Sequence, residues 1–386
     1  MRSIAFVGSR DHCIPTVMNP SSPDIWIDEV SRRLQSFDVW VISPWAPGFP
    51  IWNYSNRVSY RRIKMGRIYK RFFQKITRLD PFSYYYRVGK ILREIQPNIV
   101  HTIRPEGINT LRRFLPANSK LVSSISKLKK GTPLNADALV TYSEYLKTKN
   151  IEFYGLPKQK IINLYKGVDI EKFRPFWEVN DKRMYLRHLW GIEDNPTLLY
   201  VGDIEREKGI DTLVSAFKGV TQKYPSAILI IVGYFRPKSK SGGVRAQYCQ
   251  EVLSMIPSLR KNVLLTGSVP VDRIHEIYLL GDIMVVPARA PEGFIITLAE
   301  AGATGLPVIS TRLGGTPEIV IDGVTGLLVN NPDDVPSLTQ KILDLMEDKE
   351  KRLEMGCNAS TYIKNNFSWE KITQKAEEFY CSLIAA

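Results

Sequence analysis

The densest run of residues able to do chemistry lies between Pro287 and Val308. It reads Pro287-Ala-Arg-Ala-Pro-Glu292-Gly293-Phe294-Ile295-Ile296-Thr-Leu-Ala-Glu300-Ala-Gly302-Ala-Thr-Gly305-Leu-Pro307-Val308. A strand ending at Val286 gives way to a loop carrying Glu292 and Gly293, and a helix opens near Ile295. The first turn of a helix offers unpaired amides and a partial positive charge, which suits a diphosphate. Gly293 has no side chain, so a ligand can approach its backbone closely. Glu300 follows Glu292 by eight residues, and a helical rise of about 1.5 Å per residue separates the two carboxylates by roughly 10 Å. That is comparable to the span from a sugar ring to a ribose across a diphosphate, and a carboxylate accepts hydrogen bonds from a diol. A plainer reading makes Glu292 a loop acid and Glu300 a solvated helix residue. Leu298, Ala299, Ala301 and Ala303 flank Glu300, however, and indicate a buried helix. A buried carboxylate needs a partner.

A second candidate lies upstream, where Leu199-Tyr-Val-Gly202-Asp-Ile-Glu-Arg-Glu-Lys208-Gly209 places a strand, a glycine and then a lysine. A flexible ammonium after a loop at a strand's carboxyl end can serve as a phosphate counter-charge. The alternative is a solvated surface lysine.

The elements that must position these groups follow an α/β pattern, with short apolar runs alternating with longer amphipathic ones. In the first half, strands are predicted at 3–7, 39–42, 99–101, 120–124, 138–141 and 161–165, with helices between them such as 25–35 and 85–94. Residues 166–196 mix Pro, charge and Trp around a short helix at 182–188 and read as a connection. In the second half, strands at 197–201, 227–232, 263–266, 283–286, 308–310 and 326–329 alternate with helices at 213–223, 247–256, 271–280, 296–303 and 335–345, and two more helices fill the tail. Two successive sheets in 386 residues predict two Rossmann-like domains.

Charge is unevenly placed. Residues 1–170 hold 28 Lys/Arg against 12 Asp/Glu, and residues 171–386 hold 25 against 27, so all of the excess belongs to the first half. Within it, residues 57–93 carry 12 basic side chains and the single acid Asp80. Ile68, Phe72, Phe73 and Ile76 fall there at helical spacing among cations, the pattern of an amphipathic helix on an anionic membrane surface. The same stripe can equally pack on its own domain. Basic and aromatic residues also bind single-stranded nucleic acid, but no such module is recognisable, and no nucleic-acid partner is expected. Cys13, Cys249, Cys357 and Cys381 form no CxxC pair and no ligand cluster with the four histidines, so free thiols and no metal site are expected. No apolar run approaches the roughly 20 residues that cross a bilayer. The four-residue apolar run ending at Gly8 is too short for a signal peptide.

The run from Glu292 to Val308 resembles the signature of retaining GT-B glycosyltransferases of the glycogen-synthase-like and mannosyltransferase-like group: a Glu, seven residues, a second Glu, then Ala, a small residue and Gly-x-Pro-Val. The resemblance extends to Leu199–Leu213 around Lys208, to Gly314-Gly315-Thr316-Pro317-Glu318 with Gly323 and Gly326, and to Tyr142-Ser143-Glu144, Gly167-Val168-Asp169 and Phe173-Arg174-Pro175. It covers roughly residues 138–370. It implies two Rossmann-like domains facing across a cleft: an acceptor-binding domain at 1–168, a connection at 169–195, a nucleotide-sugar-binding domain at 196–365, and a C-terminal helix at 366–386 crossing back to the first domain. By that resemblance Lys208 neutralises the diphosphate of a UDP- or GDP-sugar, Glu300 holds the ribose and Glu292 the transferred sugar. The backbone at Gly202 and the amides of Gly293, Phe294, Ile295 and Ile296 meet phosphate and sugar, and Val269 lies beside the base.

The family retains anomeric configuration without a metal aspartate pair, and no Asp-x-Asp occurs here. No cofactor is expected beyond the donor itself. The acceptor would be a glycan or a lipid-linked glycan of the cell surface, reached from the cytoplasm and, through residues 57–93, from the inner face of the membrane. Three departures stand out. Asp203 occupies the place of an Arg after Gly202, with Arg206 or Arg289 as replacement cations. Pro20-Ser21-Ser22-Pro23 stands where paired glycines are expected. Val122–Ser126 lacks the family's histidine, leaving His101 as the acceptor-side candidate. Rival readings are an epimerase-like nucleotide-sugar enzyme of the same fold and a binding protein that has lost activity. A dinucleotide dehydrogenase is disfavoured, because neither Gly8 nor Gly202 continues into GxGxxG.

Overall fold

The computed structural model describes residues 2–15, 22–65, 83–125, 135–235 and 243–385. The chain divides into two compact units, Met1–Gly167 with Trp369–Ala386, and Val168–Ser368.

The first unit is built on an eight-stranded sheet: β1 (Ser3–Val7), β2 (Asp38–Pro44), β3 (Trp52–Ser55), β4 (Val58–Ile63), β5 (Ile99–Thr102), β6 (Lys120–Ser124), β7 (Ala138–Thr141) and β8 (Ile161–Asn163), in the order β3-β4-β2-β1-β5-β6-β7-β8. All pairings are parallel except β3 with β4. Ile4–Val7 and all of β5 are buried, as continuous apolar runs in a two-sided parallel sheet must be. Helices α1 (Ser22–Arg33), α2 (Tyr84–Ile95), α3 (Ile108–Arg112) and α4 (Glu144–Tyr154) connect the strands. α2 is capped by Ser83, whose hydroxyl accepts from the Tyr86 amide, and α4 by Ser143, which accepts from Leu146.

The second unit holds a six-stranded parallel sheet: β9 (Thr197–Val201), β10 (Ile228–Val232), β11 (Val263–Gly267), β12 (Ile283–Val286), β13 (Val308–Thr311) and β14 (Gly326–Val329), ordered β11-β10-β9-β12-β13-β14. The order reverses between β9 and β12, and ligands in such sheets bind outside the carboxyl ends at that switch point. Its helices are α5 (Asn180–Leu189), α6 (Ile210–Lys223), α7 (Val244–Met255), α8 (Ile274–Tyr278), α9 (Ile296–Ala303), α10 (Thr316–Ile319), α11 (Val335–Glu347) and α12 (Lys349–Phe367). The last helix, α13 (Trp369–Ala385), belongs to the first unit. Its Tyr380 is buried against Phe6 and Phe37, and its Glu377 accepts from the Ser36 amide at 2.5 Å.

One reading of the sequence changes. Residues 169–195 are no free connection but an integral part of the second unit. Buried Arg183 pairs with Asp282 at 2.5 Å, and Arg187 donates to the carbonyls of Glu193, Asn195 and Leu280. The opening of the basic stretch, ahead of the segment with helical spacing, is a strand, β4. Its Arg62 is buried, donating to Pro50 and Ile14 carbonyls and to Asn53 Oδ1, with its guanidinium over the rings of Phe49 and Tyr60. Ile68, Phe72, Phe73 and Ile76 lie outside the described residues, as do Pro20 and Ser21.

Candidate functional site

Two loops leave the second sheet at its switch point, one after β9 and one after β12, and they are locked to each other by backbone. A single turn at 206–208 ends at Gly209, whose φ of +69° suits glycine. A Cβ on Gly209 would lie 2.1 Å from the Pro287 carbonyl oxygen. The Arg289 amide donates to the Glu207 carbonyl at 2.7 Å. This docking carries Lys208 to the loop after β12, where Nζ lies 2.5 Å from Glu292 Oε1. The ion pair is partly shielded, the side chains being 17% and 34% exposed.

From its other side the Glu292 loop is held by the turn after β13. Gly314, at φ +58°, would place a Cβ 2.3 Å from the Glu292 carbonyl oxygen, and the Gly315 amide donates to that oxygen at 2.8 Å. Phe294 and Ile295 are buried, Phe294 standing edge-on to Phe367 at 5.4 Å. These buried side chains anchor the loop, and Gly293 and Ile296 remain half-buried. α9 starts at Ile296 with no side-chain cap, so its first amides have no preceding turn to bond. Gly202 and Lys208 thus lie on the loop after β9, and Glu292, Gly293, Phe294, Ile295 and Ile296 on the loop after β12 and its helix start, with Lys208 and Glu292 in direct contact.

Glu300 lies on α9 one turn beyond, and its partner is Tyr278 at the end of α8, whose hydroxyl donates to Oε2 at 2.6 Å. Burial pushes the Glu300 pKa up to about 7, against smaller opposing effects of the Tyr278 hydrogen bond and of Lys172. Tyr278 in turn packs edge-on against Phe173, 5.5 Å between ring centres. Tyr278 and Lys172 could not be read from the motif, because they come from separate segments and approach Glu300 only in the fold. Val269 is half-buried, in the loop after β11.

Asp203 is exposed and paired with Arg245, which also binds Glu205 at 2.7 Å. Neither proposed replacement cation is uncommitted. Arg206 pairs with Glu251 over the Tyr248 ring, and Arg289 is clamped by Asp211, Asp333 and Thr212. Arg289 therefore buttresses the two loops.

His101 requires a correction. It is wholly buried in the first unit between Phe6 and Trp26. Nδ1 lies 2.6 Å from the Tyr380 hydroxyl and Nε2 2.9 Å from Ser124 Oγ, and burial lowers its pKa to about 3. With both nitrogens engaged, it fastens α13 to the sheet instead of facing an acceptor. A cavity of about 1050 Å³, lined in part by Arg183, Thr197, Asp282 and Arg352, opens at the amino-terminal edge of the second sheet, away from Lys208 and Glu292. Among the described residues there is no group of three His, Cys, Asp or Glu side chains able to hold a metal, and no helix long and apolar enough to cross a membrane.

The two-unit architecture is that of GT-B glycosyltransferases. Sucrose-phosphate synthase from Thermosynechococcus elongatus superposes with a TM-score of 0.77 at 20% identity over the whole of both chains. Anabaena HepE in complex with UDP and glucose superposes at 0.76, with 19% identity over 99% of this chain and all of that one. Residues 187–362 match the family Glycosyl transferases group 1. Lipopolysaccharide 1,2-N-acetylglucosaminetransferase of Salmonella typhimurium is 29% identical over 92% of each chain. A GDP-mannose-dependent α-(1-6)-phosphatidylinositol monomannoside mannosyltransferase of Mycolicibacterium smegmatis is 28% identical over 61% of this chain and 59% of its own. The chain is thus similar to group 1 glycosyltransferases along residues 187–362, and to the lipopolysaccharide 1,2-N-acetylglucosaminetransferase along most of its length.

Proposed function

We propose that this enzyme is a retaining, metal-independent hexosyltransferase that moves a sugar from a UDP- or GDP-sugar to a glycan or lipid-linked acceptor. The observation that carries the reading is the Lys208–Glu292 pair at the switch point, beside the uncapped start of α9. On donor binding the diphosphate takes over Lys208 and the first amides of α9. Glu292, released, accepts hydrogen bonds from hydroxyls of the transferred sugar, and Glu300 accepts from the ribose. In the transfer step the bond from C1 to the β-phosphate oxygen breaks and the electron pair leaves with the diphosphate. An acceptor oxygen bonds to C1 on the same face, and its proton passes to the departing phosphate oxygen. Lys208 and the α9 amides stabilise the charge that develops there. Asp203 is turned toward Arg245, which offsets part of its charge while also holding Glu205.

The Salmonella relative is a lipopolysaccharide N-acetylglucosaminetransferase and the mycobacterial one a phosphatidylinositol monomannoside mannosyltransferase. With the basic first half, these support a lipid-linked acceptor and peripheral association with an anionic inner membrane face. A thermal-shift panel of nucleotides and nucleotide sugars tests the donor, since a ligand of the native state raises apparent stability. Stabilisation by UDP- or GDP-sugars, followed by product with retained anomeric configuration in EDTA, is the expected result. An inverted product, or loss of transfer in EDTA, would reject the retaining or the metal-independent part. Co-sedimentation with anionic but not neutral vesicles tests the membrane part.

A further inference from the structure

The first unit has a switch point of its own. Its strand order reverses between β1 and β5, and the loop after β1 carries Ser9 and His12 out of the sheet's carboxyl edge. Asp24, in the first turn of α1, is fully buried beneath that loop. It accepts from the Ser9 amide at 3.4 Å and meets His12 Nδ1 at 2.8 Å. The loop itself is fixed. The Gly8 amide donates to Ile42, the Ile14 amide donates to Ser43 Oγ at 3.1 Å, and the Tyr84 hydroxyl lies against the Gly8 and Ile42 carbonyls.

A buried carboxylate on one ring nitrogen assigns the proton of neutral imidazole to that nitrogen and leaves a lone pair on the other. Here Nδ1–H donates to Asp24 Oδ2. The His12 side chain is 35% exposed, and its Nε2 has no partner among the described residues. The arrangement is the inverse of His101, where both nitrogens are consumed internally. With Nδ1 held by a wholly buried acid, Nε2 is the ring nitrogen left to meet a ligand. We propose that His12, oriented by Asp24, binds a hydroxyl of the acceptor sugar, with Nε2 as the hydrogen-bond acceptor, and so positions the acceptor on the first unit. His12 takes no proton in the transfer step. This rests on the transferase reading above.

The test uses the full-length chain with octyl α-hexosides as surrogate acceptors, comparing His12→Gln, which keeps an acceptor atom, with His12→Leu, which does not. Octyl hexoside binding is followed by saturation-transfer NMR and acceptor KM by initial rates, and nucleotide Kd is measured by calorimetry. Loss of one hydrogen bond predicts about a tenfold rise in acceptor KM and Kd for His12→Leu. A smaller rise is expected for His12→Gln, with nucleotide Kd unchanged in both. Acceptor binding within twofold of wild type in His12→Leu overturns the proposal, as does failure of the wild-type chain to bind any octyl hexoside. Should His12→Leu not fold, an unchanged acceptor Kd in His12→Gln overturns it. Acceptor binding that depends on His12, without transfer from any nucleotide sugar, would instead count against the transferase reading alone.

Discussion

Lys208 Nζ and Glu292 Oε1 stand 2.5 Å apart, so the cation best placed for a diphosphate already has a carboxylate partner. A donor must displace that partner, and the two residues therefore respond to mutation with opposite signs in nucleotide binding. Glu292→Gln frees Lys208, and a partly exposed ion pair is worth about 1 kcal/mol. Calorimetry should find UDP or GDP bound about fivefold more tightly, while transfer falls by roughly a hundredfold as the sugar loses its carboxylate. Lys208→Ala should weaken nucleotide binding and lower turnover together. Weaker nucleotide binding in Glu292→Gln would mean that the carboxylate does not compete with the donor for Lys208.

Glu300 makes the second unit sensitive to pH. Its pKa is raised to about 7 from an ordinary value of 4.5, chiefly by burial, so between those values the folded chain holds a proton that the unfolded chain releases. The resulting stabilisation is complete below about 4.5 and is lost as pH rises through 7. Glu300→Gln should remove this dependence. Its stability relative to wild type, from urea midpoints, should improve between pH 5 and pH 8, by up to about 3 kcal/mol. Ribose hydroxyls donate more strongly to the charged form than to the protonated one, so nucleotide affinity in the wild type should rise over the same range. A flat difference between the two proteins would show that Glu300 is already ionised when empty.

The two loops that bring Lys208 to Glu292 were legible because their parts are local. A strand end, a glycine and an acid within a few residues of Glu292 specify the loop, and β9 through Lys208 specifies the other. What sequence could not supply was the contact between distant segments: Tyr278 on Glu300, Arg245 on Asp203, or Arg289 turned to Asp211 and Asp333. The β3–β4 hairpin was missed for the same reason. A strand reading Val-Ser-Tyr-Arg-Arg-Ile looks solvated until Ile14, Pro50 and Asn53 are seen to satisfy the buried Arg62. His101 misled because a strand-end histidine has the same spacing whether it faces a ligand or, as here, the hydroxyl of Tyr380.

Gly314 tests the backbone framework independently of any charge. An alanine there would force a left-handed φ and a 2.3 Å clash with the Glu292 carbonyl oxygen. The turn after β13 or the Glu292 loop must shift, at an expected cost of about 2 kcal/mol. Because a displacement of about 1 Å can cost a hundredfold in rate, transfer should fall far more than the melting temperature. Gly323→Ala, also at a positive φ but with nothing within 4 Å of the added Cβ, is the control. Equal loss of transfer in both variants would show that backbone strain anywhere in this unit, and not the seating of Glu292, limits the rate.

His101 sets the acid side of the first unit's stability. Burial lowers its pKa to about 3, whereas the unfolded residue titrates near 6.5. The unfolded chain therefore binds the extra proton between those values. Stability is complete above about 6.5 and drains as pH falls toward 3, the reverse of the trend from Glu300. His101→Gln keeps a polar group but cannot satisfy both Tyr380 and Ser124, and should cost about 1–3 kcal/mol at pH 7.5. The deficit should shrink by pH 4.5, where the wild type bears the growing cost of keeping its imidazole neutral. Urea midpoints at the two pH values measure both quantities. Acceptor KM should stay within twofold of wild type, because the ring touches only protein. A tenfold rise in acceptor KM with an unchanged urea midpoint would return His101 to the acceptor side and undo its assignment as the fastener of α13.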